Sequence, residues 1–247
     1  VTSDVTPKLT TVRQVVILAG GLGTRLRPLT EKVPKPMVPV ADQPFLYWQL
    51  RDLKAQGYTR VLLLVAYLGE QVEAYFGDGA QFGMHLEYVY EHQPLGTGGA
   101  VKNASSKLDA EFILLNGDSF LRAPLKEMEK AFVDVDALVS TYDNYRPVPV
   151  IPNIKTSAGR VTGYEKDAGL AKGFTEIDSG IYILKRSLIE GEGRDIFMLA
   201  DFWPQLIEQG RLAAFAVSER FYDIGTIERL KEFEEKVRDY FPHSASH

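Results

Sequence analysis

Residues 17–40, ILAGGLGTRLRPLTEKVPKPMVPV, join an apolar run to a glycine-rich turn and then to Pro34-Lys35-Pro36. Gly20, Gly21 and Gly23 remove side chains where the backbone must bend sharply, so that successive N–H groups can turn inward onto phosphate oxygens. Between Arg25 and Lys35 the chain sets Arg25, Arg27, Lys32 and Lys35 against Glu31 alone, a local charge of +3 in a protein whose formal total is −5. The pattern is a site for a polyphosphate. It is not the dinucleotide fingerprint, which needs a glycine where Leu26 stands, nor the P-loop, which needs Gly-Lys-Ser/Thr where Gly23-Thr24-Arg25 stands. A bare GGxG is more often an ordinary strand-to-helix turn. The added Arg25 and the prolines flanking Lys35 decide otherwise, because they predict a stiff, non-helical frame that presents the lysine.

Working outward, short apolar runs alternate with amphipathic segments at 14–18, 44–56, 60–66, 71–76, 86–90 and 112–115. Such alternation predicts strands separated by helices and hence a largely parallel sheet. Pro44 just inside the second segment and Gly57 just past it mark a helix with Leu46, Leu50 and Leu53 on one face. Later strands are expected at 137–142, 161–166, 180–184 and 213–217, and a last helix at 226–240. Ligands of such sheets bind outside the carboxyl ends of the strands. The glycine turn and Asn116-Gly117-Asp118 both follow strands, so one cleft should hold both.

Composition narrows the function. The acidic balance argues against a nucleic-acid or membrane-surface binder. The absence of cysteine excludes disulfide and thiolate chemistry, and His85, His92, His243 and His247 lack metal-ligand spacing. Without a signal-like or membrane-length apolar run, the expectation is a cytoplasmic protein. Residues 1–13 read as a flexible extension, 14–241 as a single domain and 242–247 as a tail. Tyr240 and Phe241, on a terminal helix expected to be exposed, suggest a homodimer.

The opening segment closely resembles the signature of the sugar-1-phosphate nucleotidyltransferases, GGxGTRLxPLTxxxPKPxxP, with weaker echoes from about residue 14 to 236. The resemblance implies an α/β fold with a Rossmann-like, mixed, mostly parallel central sheet flanked by helices. It implies NTP and sugar 1-phosphate as substrates and Mg2+ as cofactor. Leu18, Ala19, Gly20, Gly21, Gly23 and Thr24 would then wrap the triphosphate, Arg25 and Lys35 would be catalytic cations, and Asp118 and Asp223 would hold the metal. Taken alone, Asp118 reads equally well as a turn residue and Asp223 as part of a helix start; their occurrence with the glycine turn favours the ligand reading. Gln93, Gly96, Thr97 and Gly98 fall where the family contacts the nucleobase. Glu165, Lys166, Asp178, Ser179 and Gly180 fall on the sugar-phosphate side.

Two departures bear on the acceptor. Asp178 replaces the family's usual asparagine, and an ionised carboxylate only accepts hydrogen bonds whereas an amide also donates. Pro147, Pro149 and Pro152 preclude a regular strand where many relatives have one. The loop PLGTGGAVKNA with LLNGDSF most resembles family members that guanylylate D-glycero-α-D-manno-heptose 1-phosphate, then those acting on mannose 1-phosphate. Uridylyl transfer to N-acetylmuramate 1-phosphate and thymidylyl transfer to glucose 1-phosphate remain alternatives. A non-catalytic nucleotide-sugar-binding regulator is disfavoured because Arg25, Lys35, Asp118 and Asp223 are all present. A glycosyltransferase is disfavoured because Asp118-Ser119-Phe120 is not Asp-x-Asp.

Overall fold

A computed structural model describes residues 12–143, 148 and 150–242. In chain order its strands are β1 (Gln14–Leu18), β2 (Pro39–Val40), β3 (Gln43–Pro44), β4 (Arg60–Val65), β5 (His85–Tyr90), β6 (Glu111–Asn116), β7 (Ser119–Phe120), β8 (Ala137–Tyr142), β9 (Ile154–Ser157), β10 (Arg160–Tyr164), β11 (Ile177–Lys185), β12 (Leu212–Val217) and β13 (Tyr222–Asp223). The α-helices are α1 (Phe45–Ala55), α2 (Gly69–Phe76), α3 (Gly96–Asn103), α4 (Leu125–Ala131), α5 (Arg186–Glu190), α6 (Trp203–Glu208) and α7 (Ile227–Tyr240).

The main sheet has the order β5-β4-β1-β6-β11-β8-β12-β10-β9. Strands β5, β4, β1 and β6 run parallel, and β11 enters antiparallel between β6 and β8. The parallel strands read as nearly unbroken apolar runs, such as RVLLLV in β4, because helices cover both faces. Alternate residues divide between the two cores: Val15 and Ile17 of β1 face α1 and α2, whereas Val16 faces α3 and α6. Val12, within the stretch read as an extension, is buried in the first of these cores, so the packed domain begins before β1. Residues 1–11 and 243–247, and Pro147 and Pro149 of the proline-rich loop, lie outside the described residues. No described helix is long and apolar enough to cross a membrane.

A third core explains how the carboxyl end of β6 is extended into a site. There β7 and β13 form a separate two-stranded antiparallel sheet, with Asp223 opposite Ser119. α7 closes over it: fully buried Phe233 lies edge-on to Phe45 at 5.3 Å between ring centroids and against Phe120 at 4.9 Å. Thr226 caps this helix, its side chain accepting from the Arg229 N–H. The aromatics on which the dimer expectation rests belong to this same core: Phe241 is buried, stacked on Trp48 at 5.3 Å, and partly buried Tyr240 packs against the cluster.

Truncating Phe233 to alanine leaves a cavity under β7 and β13 that neighbouring rings cannot fill. Phe233→Ala should therefore destabilise the protein by about 3–5 kcal/mol in urea unfolding. A loss below about 1 kcal/mol would show that this core does not hold the small sheet.

Candidate active site

The glycine turn leaves β1 at the carboxyl edge, as its sequence position requires. Ala19 N–H still donates to Leu64 O at 2.8 Å, but the amides of Gly20, Gly21, Leu22 and Gly23 donate to no described residue. Gly23 takes the left-handed region at φ 61° and opens a 3-10 turn, Thr24–Leu26, whose Leu26 is buried in the third core. This anchors the turn while leaving Arg25 on the surface. A cleft of about 360 Å3 opens beside it, lined at this end by Leu18, Ala19, Gly20, Gly21, Lys35, Asn116 and Asp118. Gly23, Thr24 and Arg25 flank the cleft rather than line it.

Lys35 does not sit in the extended, non-helical segment expected from its prolines. It begins a single 3-10 turn, Lys35–Met37, closed by Met37 N–H to Pro34 O at 2.8 Å. Pro36 fits because it occupies a first-turn position, where a helical N–H has no partner to lose. The lysine is 7% exposed, and its Nζ lies 2.8 Å from Asp118 Oδ2. A nearly buried ammonium needs such a counter-charge. Gln49 in α1 steadies the turn from behind, donating through Nε2 to Asn116 O at 2.9 Å and Ser119 O at 2.8 Å.

The two aspartates expected to hold a metal are brought side by side although about a hundred residues separate them. Asp223 lies opposite Ser119, and Ile224 N–H donates to Asp118 O at 3.0 Å. Asp223 accepts from Arg229 Nη1 at 2.8 and 3.0 Å and from Gly225 N–H at 2.8 Å. The Arg25 guanidinium reaches the same turn: a Cβ on Gly225 would lie 3.4 Å from Arg25 Nη2. Two hard carboxylates beside an amide-rich phosphate turn suit a divalent cation that takes its remaining oxygens from phosphate and water.

The far end of the cleft is formed by Glu91, Pro94, Gly96, Thr97, Ala100 and Met198. Of the four nucleobase candidates, Gly96 and Thr97 line it; Gln93 and Gly98 do not. Gly98 and Gly99 instead admit a protein segment: their N–H groups donate to Phe197 O at 3.1 and 3.2 Å, and a Cβ on Gly98 would strike the Phe197 ring at 2.2 Å. Thr97 Oγ1 accepts from Leu199 N–H at 2.9 Å, completing that attachment. Glu91 escaped the sequence reading, which fastened on the glycines from Gln93 onward. It stands directly after β5, and the strand-end rule points to it. Its N–H is anchored on Val65 O at 2.8 Å, and burial pushes its carboxyl up against the lowering effect of the Leu95 N–H.

On the expected sugar side, Glu165 and Lys166 are exposed and do not line the cleft; Glu165 pairs with Lys172. Ser179 points away from the cleft, buried against Ser140 with 2.7 Å between the hydroxyl oxygens. Asp178 accepts from Gly180 N–H at 3.0 Å and from the Tyr182 hydroxyl at 2.9 Å. Burial raises its carboxyl to about 6, the two hydrogen bonds opposing that rise.

Comparison with known proteins bears on the family. Residues 14–240 match the nucleotidyl transferase family. The chain belongs to that family. This is the enzyme class that the glycine turn and Pro34-Lys35-Pro36 resemble, and the relatives are sugar-1-phosphate nucleotidyltransferases. D-glycero-α-D-manno-heptose 1-phosphate guanylyltransferase of Aneurinibacillus thermoaerophilus is 29% identical, the match covering 92% of this chain and 99% of that protein. The enzyme of the same name from Campylobacter jejuni is 32% identical over 89% of this chain and 98% of its own. Mannose-1-phosphate guanylyltransferase of Mycobacterium tuberculosis is 34% identical, but the match spans only 61% of its length. Among solved structures, HddC from Yersinia pseudotuberculosis complexed with GMP-PN superposes with a TM-score of 0.77 at 33% identity, covering 92% of this chain and all of that one.

Asp178 gives this nucleotidyl transferase a pH signature of known sign. Its folded-state pKa of about 6 lies above the ordinary 3.8, so the native state binds the proton more tightly than the unfolded chain does. Its stabilising contribution is therefore complete below about pH 4 and lost as pH rises to about 6. The stability of wild type relative to Asp178→Asn should fall by on the order of 2–3 kcal/mol across that interval in urea titrations. A difference that does not change with pH would refute the shift.

Proposed function

We propose that this nucleotidyl transferase is a guanylyltransferase that joins GTP to a sugar 1-phosphate and releases pyrophosphate, with D-glycero-α-D-manno-heptose 1-phosphate as acceptor. The observation that carries the choice of base is Glu91 at the end of the cleft remote from the phosphate turn. Guanine offers two adjacent donors, N1–H and the N2 amino group, which a carboxylate accepts as a fork. Uracil and thymine offer one N–H between two carbonyl oxygens that repel a carboxylate. Adenine and cytosine present a ring acceptor at the corresponding edge. The acceptor is supported by the heptose relatives, which this chain matches over nearly their whole length.

The chemistry needs no general base, because the sugar phosphate is ionised near neutral pH. It needs two polyanions held in line against their repulsion. The unpartnered amides of 20–23 and the Lys35 ammonium neutralise the triphosphate, and Lys35 exchanges Asp118 for phosphate as substrate enters. Arg25, beside the Asp223 turn, faces the charge that develops on the departing pyrophosphate. A magnesium ion on Asp118 and Asp223 would supply further neutralisation of the transferring phosphate. Asp118 lines the cleft, and Asp223 lies on the strand paired beside the Asp118 turn, so these two hard carboxylates are the donors that would hold it.

Pyrophosphate release, measured for GTP, UTP, dTTP, CTP and ATP crossed with manno-heptose, mannose, glucose and N-acetylmuramate 1-phosphates, should select GTP with the heptose. A preferred pyrimidine nucleotide would overturn the base assignment, and a preferred hexose the acceptor. Glu91→Gln should lower kcat/KM for GTP about 10- to 100-fold, the loss of one bidentate contact, and lower that for dTTP far less. Arg25→Ala should lower kcat at least about 100-fold with Tm little changed, and Asp118→Ala should lower kcat as much while also lowering Tm, because it strips the nearly buried Lys35 of its counter-charge. Either variant turning over at the wild-type rate would remove its residue from the mechanism.

A further inference from the structure

Met198 stands in the cleft wall on a segment that is fixed on both sides of it. Phe197 N–H donates to Leu95 O at 3.0 Å, and Phe197 O accepts from the Gly98 and Gly99 N–H groups at 3.1 and 3.2 Å. Leu199 N–H donates to Thr97 Oγ1 at 2.9 Å, and Met198 N–H to Asp201 Oδ2 at 3.2 Å. Lys102 of α3 ties down the approach to this segment, donating to Arg194 O at 2.8 Å and to Asp195 Oδ1 at 2.7 Å. Phe197 and Leu199 are each 4% exposed, whereas Met198 between them is 51% exposed and lines the cleft. Its sulfur stands at Gly96, where a Cβ would come within 3.2 Å of Met198 Sδ. The backbone is thus committed to the start of α3, and the thioether is what the segment delivers to the cleft.

We propose that Met198 holds the nucleotide by packing its thioether on the ring face of the bound nucleobase. This rests on the reading of the cleft as the site of nucleotidyl transfer, with the base at the end remote from the phosphate turn, and it does not depend on which base is bound. A base there has polar edges and an apolar face, and the face must be covered by a group that carries no charge. Glu91 carries a carboxylate suited to an edge, Gly96 has no side chain, the Thr97 hydroxyl is engaged by Leu199 N–H, and Ala100 is a buried methyl. Pro94 and Met198 remain, and the proline ring is short and rigid. Methionine is long and polarizable, makes favourable contacts with aromatic rings, and has three rotatable bonds that let one side chain fit a purine or a pyrimidine.

A contact to the ring face has a kinetic signature distinct from one to the edge. The base does not react, so its packing is the same in the bound substrate and in the transition state, and losing it raises KM while sparing kcat. Every base has such a face, so the loss is shared by all nucleotides, whereas loss of an edge contact at Glu91 changes the ranking of bases. The thioether also reports on itself. Hydrogen peroxide converts it to the sulfoxide: the sulfur lone pair takes one peroxide oxygen as the O–O bond breaks, the other oxygen leaves as water, and the two electrons that sulfur loses are gained by the peroxide. The chain has no cysteine to compete, Met84 and Met128 are buried, and partly buried Met37 serves as an internal reference.

The test joins steady-state kinetics to the rate of Met198 oxidation by hydrogen peroxide, read by peptide mass spectrometry against Met37. Oxidation is followed for the protein alone, with Mg2+ and GTP at a concentration that calorimetry shows to be saturating, and with Mg2+ and inorganic tripolyphosphate. GTP should slow oxidation at Met198 about fivefold or more and tripolyphosphate less than about twofold, because the latter fills the phosphate turn and leaves the sulfur exposed. Met198→Ala should raise KM by a common factor of about 3 to 10 for every nucleotide turned over, the range of one thioether–ring contact, with kcat and Tm little changed. Met198→Leu, which keeps the apolar bulk, should recover most of that loss, and Ile196→Ala, exposed beside it but outside the cleft lining, should lose nothing. Unslowed oxidation of Met198 with GTP bound, equal protection by tripolyphosphate, an unchanged KM in Met198→Ala, or a KM rise confined to one base would overturn the inference. A wild type that neither binds nor turns over any nucleotide would overturn the reading of the cleft, and this inference with it.

Discussion

The contact on which the rest of the site depends is the 2.8 Å pair between Lys35 and Asp118. Lys35 is nearly buried, and an ammonium there without a counter-charge would be costly. Asp118 supplies the charge only if the turn after β6 holds its shape, which is why a buried glutamine from α1 is committed to two carbonyls of that turn. The turn in turn needs β13 beside β7, and β13 is held by the aromatic core under α7. One ion pair thus ties together segments near residues 35, 49, 118 and 223. Asp118, about half exposed, is also the partner that can let go. The lysine is held against the cleft that it lines, and its position is fixed by a contact with a half-exposed carboxylate.

The parts of the fold set by short-range chemistry were legible. β1 and β8 have the ends that their apolar runs indicate, and α1 starts after Pro44 and ends before Gly57, as proline and glycine dictate. The antiparallel entry of β11 between β6 and β8 was not legible in detail, because strand pairing over about seventy residues leaves no periodic trace. Strands β7 and β13, two residues each, are too short to carry a pattern, yet they bring Asp223 opposite Ser119, next to Asp118 in the chain.

In the site the division is similar. Gly20, Gly21, Lys35 and Asp118 stand in local motifs whose composition betrays a phosphate ligand, and they line one cleft. Gly98 looked like a ligand-facing glycine, but the space its missing side chain leaves is filled by Phe197. A glycine marks a close approach without saying what approaches, and here it is a segment a hundred residues away. Glu91 failed to stand out because a single carboxylate after a strand is commonplace; only its place opposite the phosphate turn gives it meaning. Asp178, a candidate sugar contact from its motif, has its carboxylate engaged by Gly180 and Tyr182, partners the motif does not announce.

The electrostatic balance of the cleft bears on how it handles two anionic substrates. Around the reacting end stand Arg25, Lys35 and Arg229 against Asp118 and Asp223, three cations to two carboxylates, a surplus of one positive charge. A triphosphate and a sugar phosphate together bring several negative charges, more than that surplus offsets. The backbone amides of 20–23 contribute partial charges that cost no desolvation of a side chain. A divalent cation on the two aspartates, as proposed, would offset the remaining deficit. Lys35 and Arg229 pair with these aspartates and hold both carboxylates in place.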